Sequence, residues 1–245
     1  TVSDLNTVSG LTTGTLSGTV KDSIDNLLGI TETTNNLTLV VNDTVIDAAK
    51  LITLDAKMSE VINFASESTT LSGKLADINT VLGAAGIDSA QGNNDGLGNK
   101  AVTVTDSITK DQLNALDAIT EGAITATISD TTLDKLKLIT DDHNNNKVSV
   151  TITGNTTSDA SILADDVETV NGKTAGMVTI DSSVTKMTGD MDHVTNVVNA
   201  NDTTPNIAGL SNLAVEINGN ATTADNSIAA INNVIEKAGV VTVVA

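Results

Sequence analysis

The sequence predicts an α/β fold: a parallel β/α solenoid built from irregular repeats on the order of 28 residues, one parallel sheet backed by short helices. Three observations lead there. The sequence matches itself at a constant offset, so that DLNTVSGLTTGTLSGTVKD at 4–22 lies over QLNALDAITEGAITATISD at 112–130, pairing Asn6 with Asn114, Thr12 with Thr120, Gly14 with Gly122 and Asp22 with Asp130. Strand-like runs recur that each end on Asp or Asn. Between them lie segments with apolar residues at steps of three and four, the period of an amphipathic helix.

The anchors that close these runs are Asp22, Asp43, Asp77, Asp106, Asp130, Asn155, Asp181 and Asn220, and VVTVVA supplies a last strand. Strand, helix and strand without a tight hairpin turn give parallel pairing through crossovers. Two positions before the anchor stand Val20, Val41, Leu75, Val104 and Ile128, which predict one inward column; the preceding position is mostly polar and faces water. Helical spacing marks Leu113, Leu116 and Ile119; Leu133, Leu136 and Ile139; Val184, Met187, Met191, Val194 and Val198; and Ile228, Ile231 and Ile235. Each anchor sits just before such a segment. A short carboxylate or amide there is expected to accept the free N–H groups of the following helix's first turn. The competing folds are a doubly wound α/β arrangement, which lacks support because the strands are half Thr and Ser and no Gly-rich phosphate turn follows one, and a β-sandwich. Residues 1–245 are expected to form a single repeat domain, either a segment of a longer chain or a polymerising subunit.

Composition narrows the function. The chain has no Trp or Tyr and one Phe, Phe64, so Val, Ile, Leu and Ala must fill the interior. With 31 acidic residues against 12 basic ones, all Lys, the net charge is −19. Phosphate backbones and anionic lipid repel such a chain, and it has neither Arg forks nor aromatic stacking platforms, so nucleic acid is not an expected partner. No apolar run reaches a membrane span, and no membrane insertion is expected. Acidic, Cys-free, Thr- and Asn-rich composition points to an extracellular or cell-surface location.

The unit VTVTDSxTxxxLNALxAxTxGxITATISD resembles repeats of very large bacterial proteins, cyanobacterial and proteobacterial, exported by type I systems and found in surface layers and adhesins. The likeness covers residues 1–30 and 100–160. It implies a structural, cell-surface role. Those proteins often carry GGxGxDxUx calcium nonapeptides, which this sequence lacks.

Chemistry is sparse. His143 lies in the polar loop DDHNNNK and His193 in MTGDMDHVTNVV; neither sits in a nucleophile elbow, and both read as solvated surface side chains. HExxH and Cys pairs are missing, as are phosphate loops. The pairs Asp141/Asp142, Asp165/Asp166 and Asp190/Asp192 read as solvated acidic loops and faces. No catalytic residue, no small-molecule substrate and no cofactor are expected. Were a cation to bind, hard calcium fits the oxygen donors, with Asn93, Asn94 and Asp95 in one loop and Asp141 and Asp142 in another as weak sites.

Two function classes follow. The first is a non-catalytic building block of a surface layer, sheath or filament, whose partner is itself: Val240, Val241, Val243 and Val244 end the sequence in an uncapped, uncharged strand suited to head-to-tail stacking. The second is an adhesin-type or ice-binding module that uses Thr-x-Thr pairs at Thr103/Thr105, Thr125/Thr127 and Thr151/Thr153.

Overall fold

The computed structural model describes residues 1–31, 36–58, 61–88, 96–140, 146–200, 207–211, 213–218 and 228–244. It is a mixed α/β structure of parallel sheets backed by helices. Its contacts divide the chain into two units, one of Thr1–Asp106 with Ala115–Ile124 and one of Ser107–Asn114 with Thr125–Ala245.

The first unit contains α1 (Val2–Ser9), β1 (Ser17–Asp22), α2 (Ile24–Leu27), β2 (Asn36–Val41), β3 (Val45–Asp47), α3 (Ala48–Asp55), β4 (Ile62–Phe64), β5 (Thr70–Gly73), α4 (Leu75–Gly83) and most of β6 (Ala101–Ile108). Its strands are neighbours in the orders β1-β2-β4 and β3-β5-β6. Parallel ladders set Val20 beside Leu39 and Ile62, and Ile46 beside Leu71 and Val102. Phe64 is 1% exposed, and Leu39, Ile46, Ile62 and Leu71 are fully buried around the same interior. Aliphatic ladders of this kind fill a regular cross-section without aromatic rings, which accounts for the composition.

The second unit holds α5 (Lys110–Asp117, shared with the first), β7 (Ile124–Ile128), α6 (Leu133–Leu136), β8 (Lys147–Ile152), β9 (Ser161–Leu163), α7 (Ala164–Asn171), β10 (Val178–Ile180), β11 (Lys186–Gly189), α8 (Met191–Ala200), β12 (Ile207–Ala208), β13 (Ala214–Asn218), α9 (Ile228–Lys237) and β14 (Val240–Val244). Strands β7, β8, β10 and β12 are successive neighbours in one sheet, and β9, β11, β13 and β14 form another. One ladder runs Ile162, Met187, Val215, Val241; a second runs Val150, Val178, Ile207. Helices α7 and α8 pack on each other and on β11.

Parallel pairing agrees with the sequence reading, whereas a single sheet does not. More than one sheet forms because most repeats contribute a second, short strand after a bend: β3 follows β2, β5 follows β4, β9 follows β8 and β11 follows β10. Strands of three or four residues leave no readable alternation.

The inward column is also corrected. Val20, Val41, Leu75, Val104 and Ile128 are all buried. They do not stack in one register, because Val20 pairs with Leu39, Val41 pairs with Asp22 and Phe64, and Val104 pairs with Gly73. Leu75 is not in a strand but opens α4, so Asp77 lies inside that helix instead of closing a strand. The helix expected over 184–198 begins at Met191; Met187 belongs to β11 and Val184 to the turn before it.

Candidate functional site

The anchors make the most regular arrangement of polar side chains in the molecule, and they work backwards along the chain. Asp22 Oδ2 accepts the Val2 N–H at 3.2 Å, Asp43 Oδ2 the Ile24 N–H at 2.6 Å, Asp106 Oδ1 the Leu75 N–H at 2.9 Å and Asp130 Oδ2 the Lys110 N–H at 2.8 Å. Val2, Ile24, Leu75 and Lys110 are the first residues of α1, α2, α4 and α5. Each aspartate thus caps the helix before its strand, whereas the sequence pointed to the helix after it. The strand end comes level with the previous helix N-terminus, and a carboxylate there meets both a free donor and the positive end of the helix dipole.

Two of these carboxyls are held below the usual aspartate range. For Asp22 the main cause is the Asn26 amide, which donates to Oδ1 at 2.7 Å, with the Val2 and Ser23 N–H groups adding to it. For Asp130 it is the Lys110 N–H, followed by the Lys135 ammonium at 3.2 Å. The remaining anchors differ. Asp77 is half-buried on α4, Asp181 turns its carboxylate onto the Ser183 N–H at 2.8 Å, and Asn155 lends its main-chain carbonyl to the Asp134 N–H at 3.1 Å. Asn220 lies outside the described residues.

The self-match found in the sequence is repeated in the hydrogen bonds. Asn6 donates to Gly29 O at 2.9 Å and accepts from the Thr31 N–H at 3.3 Å; Asn114 donates to Leu138 O and accepts from the Thr140 N–H, both at 3.0 Å. Each amide clips its helix to the loop after the next helix. Thr12 and Thr120 both accept the N–H of the glycine two residues on, at 3.0 and 3.2 Å, and Thr174 does the same for Gly176 at 2.8 Å. Sequence reading paired these residues without finding the bonds, since an Asn-to-backbone clip leaves no spacing signal.

His193 carries the densest cluster of titratable groups. Its Nδ1 lies 2.7 Å from Glu168 Oε2, while Glu168 Oε1 accepts from the Asn196 amide at 3.0 Å. Asp165 and Asp190 each stand 3.8 Å from a ring nitrogen. The Glu168 contact, more than the two aspartates, raises the imidazole above its ordinary range, against a smaller opposing effect of burial. His193 therefore ties α8 to α7 and is not simply solvated. The acidic pairs separate likewise: Asp165 is exposed, Asp166 is buried beside Lys137 Nζ at 2.8 Å, and Asp190 caps α8 by accepting the His193 N–H at 3.0 Å. Among the described residues no group of three or more His, Cys, Asp or Glu is arranged to hold a metal ion. Asn93, Asn94, Asp95, Asp141, Asp142 and His143 lie outside the described residues.

The threonine pairs do not line up as one row. Thr125 stands beside Lys147 and Thr127 beside Ser149, while Thr151 stands beside Thr179 and then Ala208. Thr153 turns its hydroxyl to Thr131, whose Oγ1 lies at 2.9 Å. In the second unit β14 pairs with β13 and, among the described residues, with no other strand, and Val240, Val243 and Val244 are 65%, 48% and 45% exposed. Among the described residues no helix is long and apolar enough to cross a membrane. Comparison with family models, curated proteins and solved structures returned no match.

Proposed function

We propose that the chain is a stretch of parallel β/α solenoid that serves as a non-catalytic, extracellular structural protein, a building block that stacks head to tail into a surface layer, sheath or filament. The observation that carries this reading is the repeated unit itself, in which an aspartate at or near the end of a strand accepts the first N–H of the helix before it in four places. A parallel strand bonded along one edge offers its other N–H and C=O groups to the next strand, so a sheet of such repeats extends by addition. This capping makes four helices, α1, α2, α4 and α5, depend on the strand that stacks after them. A head-to-tail contact does not close on itself, so it propagates. The net charge of −19 opposes side-to-side clumping and leaves divalent cations, calcium first, to bridge copies through the acidic surface.

The test is sedimentation velocity and negative-stain imaging of the purified chain, with and without a chelator. Ordered filaments or sheets are the expected result. A chain that stays monomeric at every concentration and calcium level overturns the reading.

A further inference from the structure

A run of five elements in the first unit recurs in the second, and the one link within it that differs in length borders a groove. Elements β2, β3, α3, β4 and β5 return as β8, β9, α7, β10 and β11 with the same number of residues in each, and the spacing over 45–73 is kept over 161–189. The packing is kept as well: a Cβ on Gly73 would fall 2.8 Å from Ala48 Cβ, and one on Gly189 2.7 Å from Ala164 Cβ. The first link is different. Residues 42–44 join β2 to β3, whereas residues 153–160, TGNTTSDA, join β8 to β9. A loop lengthened in one copy of a repeat is where such proteins place a binding face. The longer link is held firmly on its base. The Asn155 N–H donates to Asp159 O at 2.9 Å, the Asp159 N–H to Thr156 O at 3.3 Å, and the Asp159 carboxylate accepts the Ser161 N–H and hydroxyl at 2.9 and 2.6 Å. Thr156, Thr157 and Ser158 of this link face Thr131, Thr132 and Thr153 across an open groove of about 400 Å³, which Ala160 and Ser183 complete.

We propose that this groove binds a neutral polysaccharide, a function separate from the assembly reading above. Seven of its eight lining residues carry a hydroxyl and none is charged, in a chain with 31 acidic and 12 basic residues. Such a lining gives no countercharge to an ionic ligand, and the net charge of −19 keeps anionic polymers away. A hydroxyl both donates and accepts, so it pairs with the hydroxyls of a sugar in either sense. Part of the lining is fixed and part is open. Thr153 Oγ1 lies 2.9 Å from Thr131 Oγ1, and Thr156 Oγ1 lies 3.3 Å from Ser158 Oγ, whereas Thr157, Ser158 and Ser183 are exposed. A hydroxyl that donates to a neighbour still keeps acceptor lone pairs for a ligand. The volume falls within the roughly 300–1,000 Å³ of ligand sites. With no aromatic ring to stack on a sugar face, only threonine methyls and Ala160 meet it. Each sugar is therefore held weakly, and a polymer that presents many in succession is the ligand retained.

The experiment is surface plasmon resonance on the full chain, coupled sparsely through its lysines, none of which lines the groove, so that the signal does not depend on assembly. Dextran, galactomannan and xyloglucan serve as neutral probes and alginate as an anionic one. Three forms are compared: unchanged, T157V/S158A/S183A, and T80V as a control at an exposed threonine of α4, with circular dichroism to confirm folding. The unchanged chain is expected to bind at least one neutral polymer and not alginate. Loss of three exposed hydroxyls should weaken that binding by at least about tenfold, while T80V binds like the parent. The proposal is overturned if the parent binds none of the three neutral polymers, if it binds alginate as well as it binds them, if the triple variant binds like the parent, or if T80V loses as much as the triple variant.

Discussion

Helices α2 and α6 are both four residues long, and each buries two large side chains, Ile24 and Leu27 in one and Leu133 and Leu136 in the other. They solve the same problem with different atoms. The first N–H of α2 goes to the Asp43 carboxylate, whereas in α6 the first two go to main-chain carbonyls, Leu133 to Gly154 O at 3.0 Å and Asp134 to Asn155 O at 3.1 Å. The fold therefore requires an acceptor at the helix start and is indifferent to whether a side chain or the backbone provides it. A one-turn helix leaves most of its N–H groups without an intrahelical partner, so that acceptor is a large share of what holds it.

The comparison can be tested in order of expected effect. L27A and L136A should cost the same, about 2–5 kcal/mol each in urea unfolding, because both side chains are fully buried and packing is indifferent to the capping atom. A cost confined to one would mean that the two helices are held differently in their cores as well. G154A probes the backbone cap, since its Cβ would fall 2.2 Å from Asp159 O and displace the carbonyl that α6 uses; about 1–3 kcal/mol is expected, with loss of amide protection at Leu133.

Next, D43A should cost about 0.5–2 kcal/mol and D43N very little, whereas N155A should stay within about 0.5 kcal/mol, because the Asp134 N–H is held by its main-chain carbonyl and not by its side chain. Hydrogen exchange at the Ile24 and Leu133 amides reads these effects directly.

Titration separates the two kinds of cap without mutation. Asp130 caps α5 with a carboxyl lowered chiefly by the Lys110 N–H. A lowered folded value gives stability that is present above the unfolded aspartate range, near about pH 4, and is lost as the pH falls through the folded value. In acid, Lys110 should therefore lose amide protection before Leu133, which relies on a carbonyl. The smallest effect concerns His193. Its folded value is raised by Glu168 first, so its contribution is present in full below about pH 6.5 and is lost as the pH rises through the folded value. H193Q should flatten that slope, with a change below about 1 kcal/mol because the pair is only partly buried.

Much of this was legible in the sequence. Parallel pairing, β6, β7, β8, β13 and β14, and the helices around Leu113 and Leu136 follow from periodicity and self-match. Of the six anchor aspartates Asp22, Asp43, Asp106 and Asp130 are helix caps, though of the helix before and not the one after, because a cap that reaches across space looks, in sequence, like one that serves the next residue; Asp77 and Asp181 are not. The short strands β3, β4, β9, β11 and β12 were missed because two to four residues show no alternation. His193 read as solvated because Glu168, 25 residues earlier, meets it only after α7 and α8 pack.

Backward capping also sets an order of events as the chain is made. Val2 waits for Asp22, Ile24 for Asp43, Leu75 for Asp106 and Lys110 for Asp130, separations of 20, 19, 31 and 20 residues. A helix emerging from the ribosome is thus incomplete until the following strand has also emerged, and closes one repeat behind the growing end. Every such closure is local in sequence, the condition for rapid folding, and a pause in synthesis would leave one helix start unsatisfied instead of an entire domain.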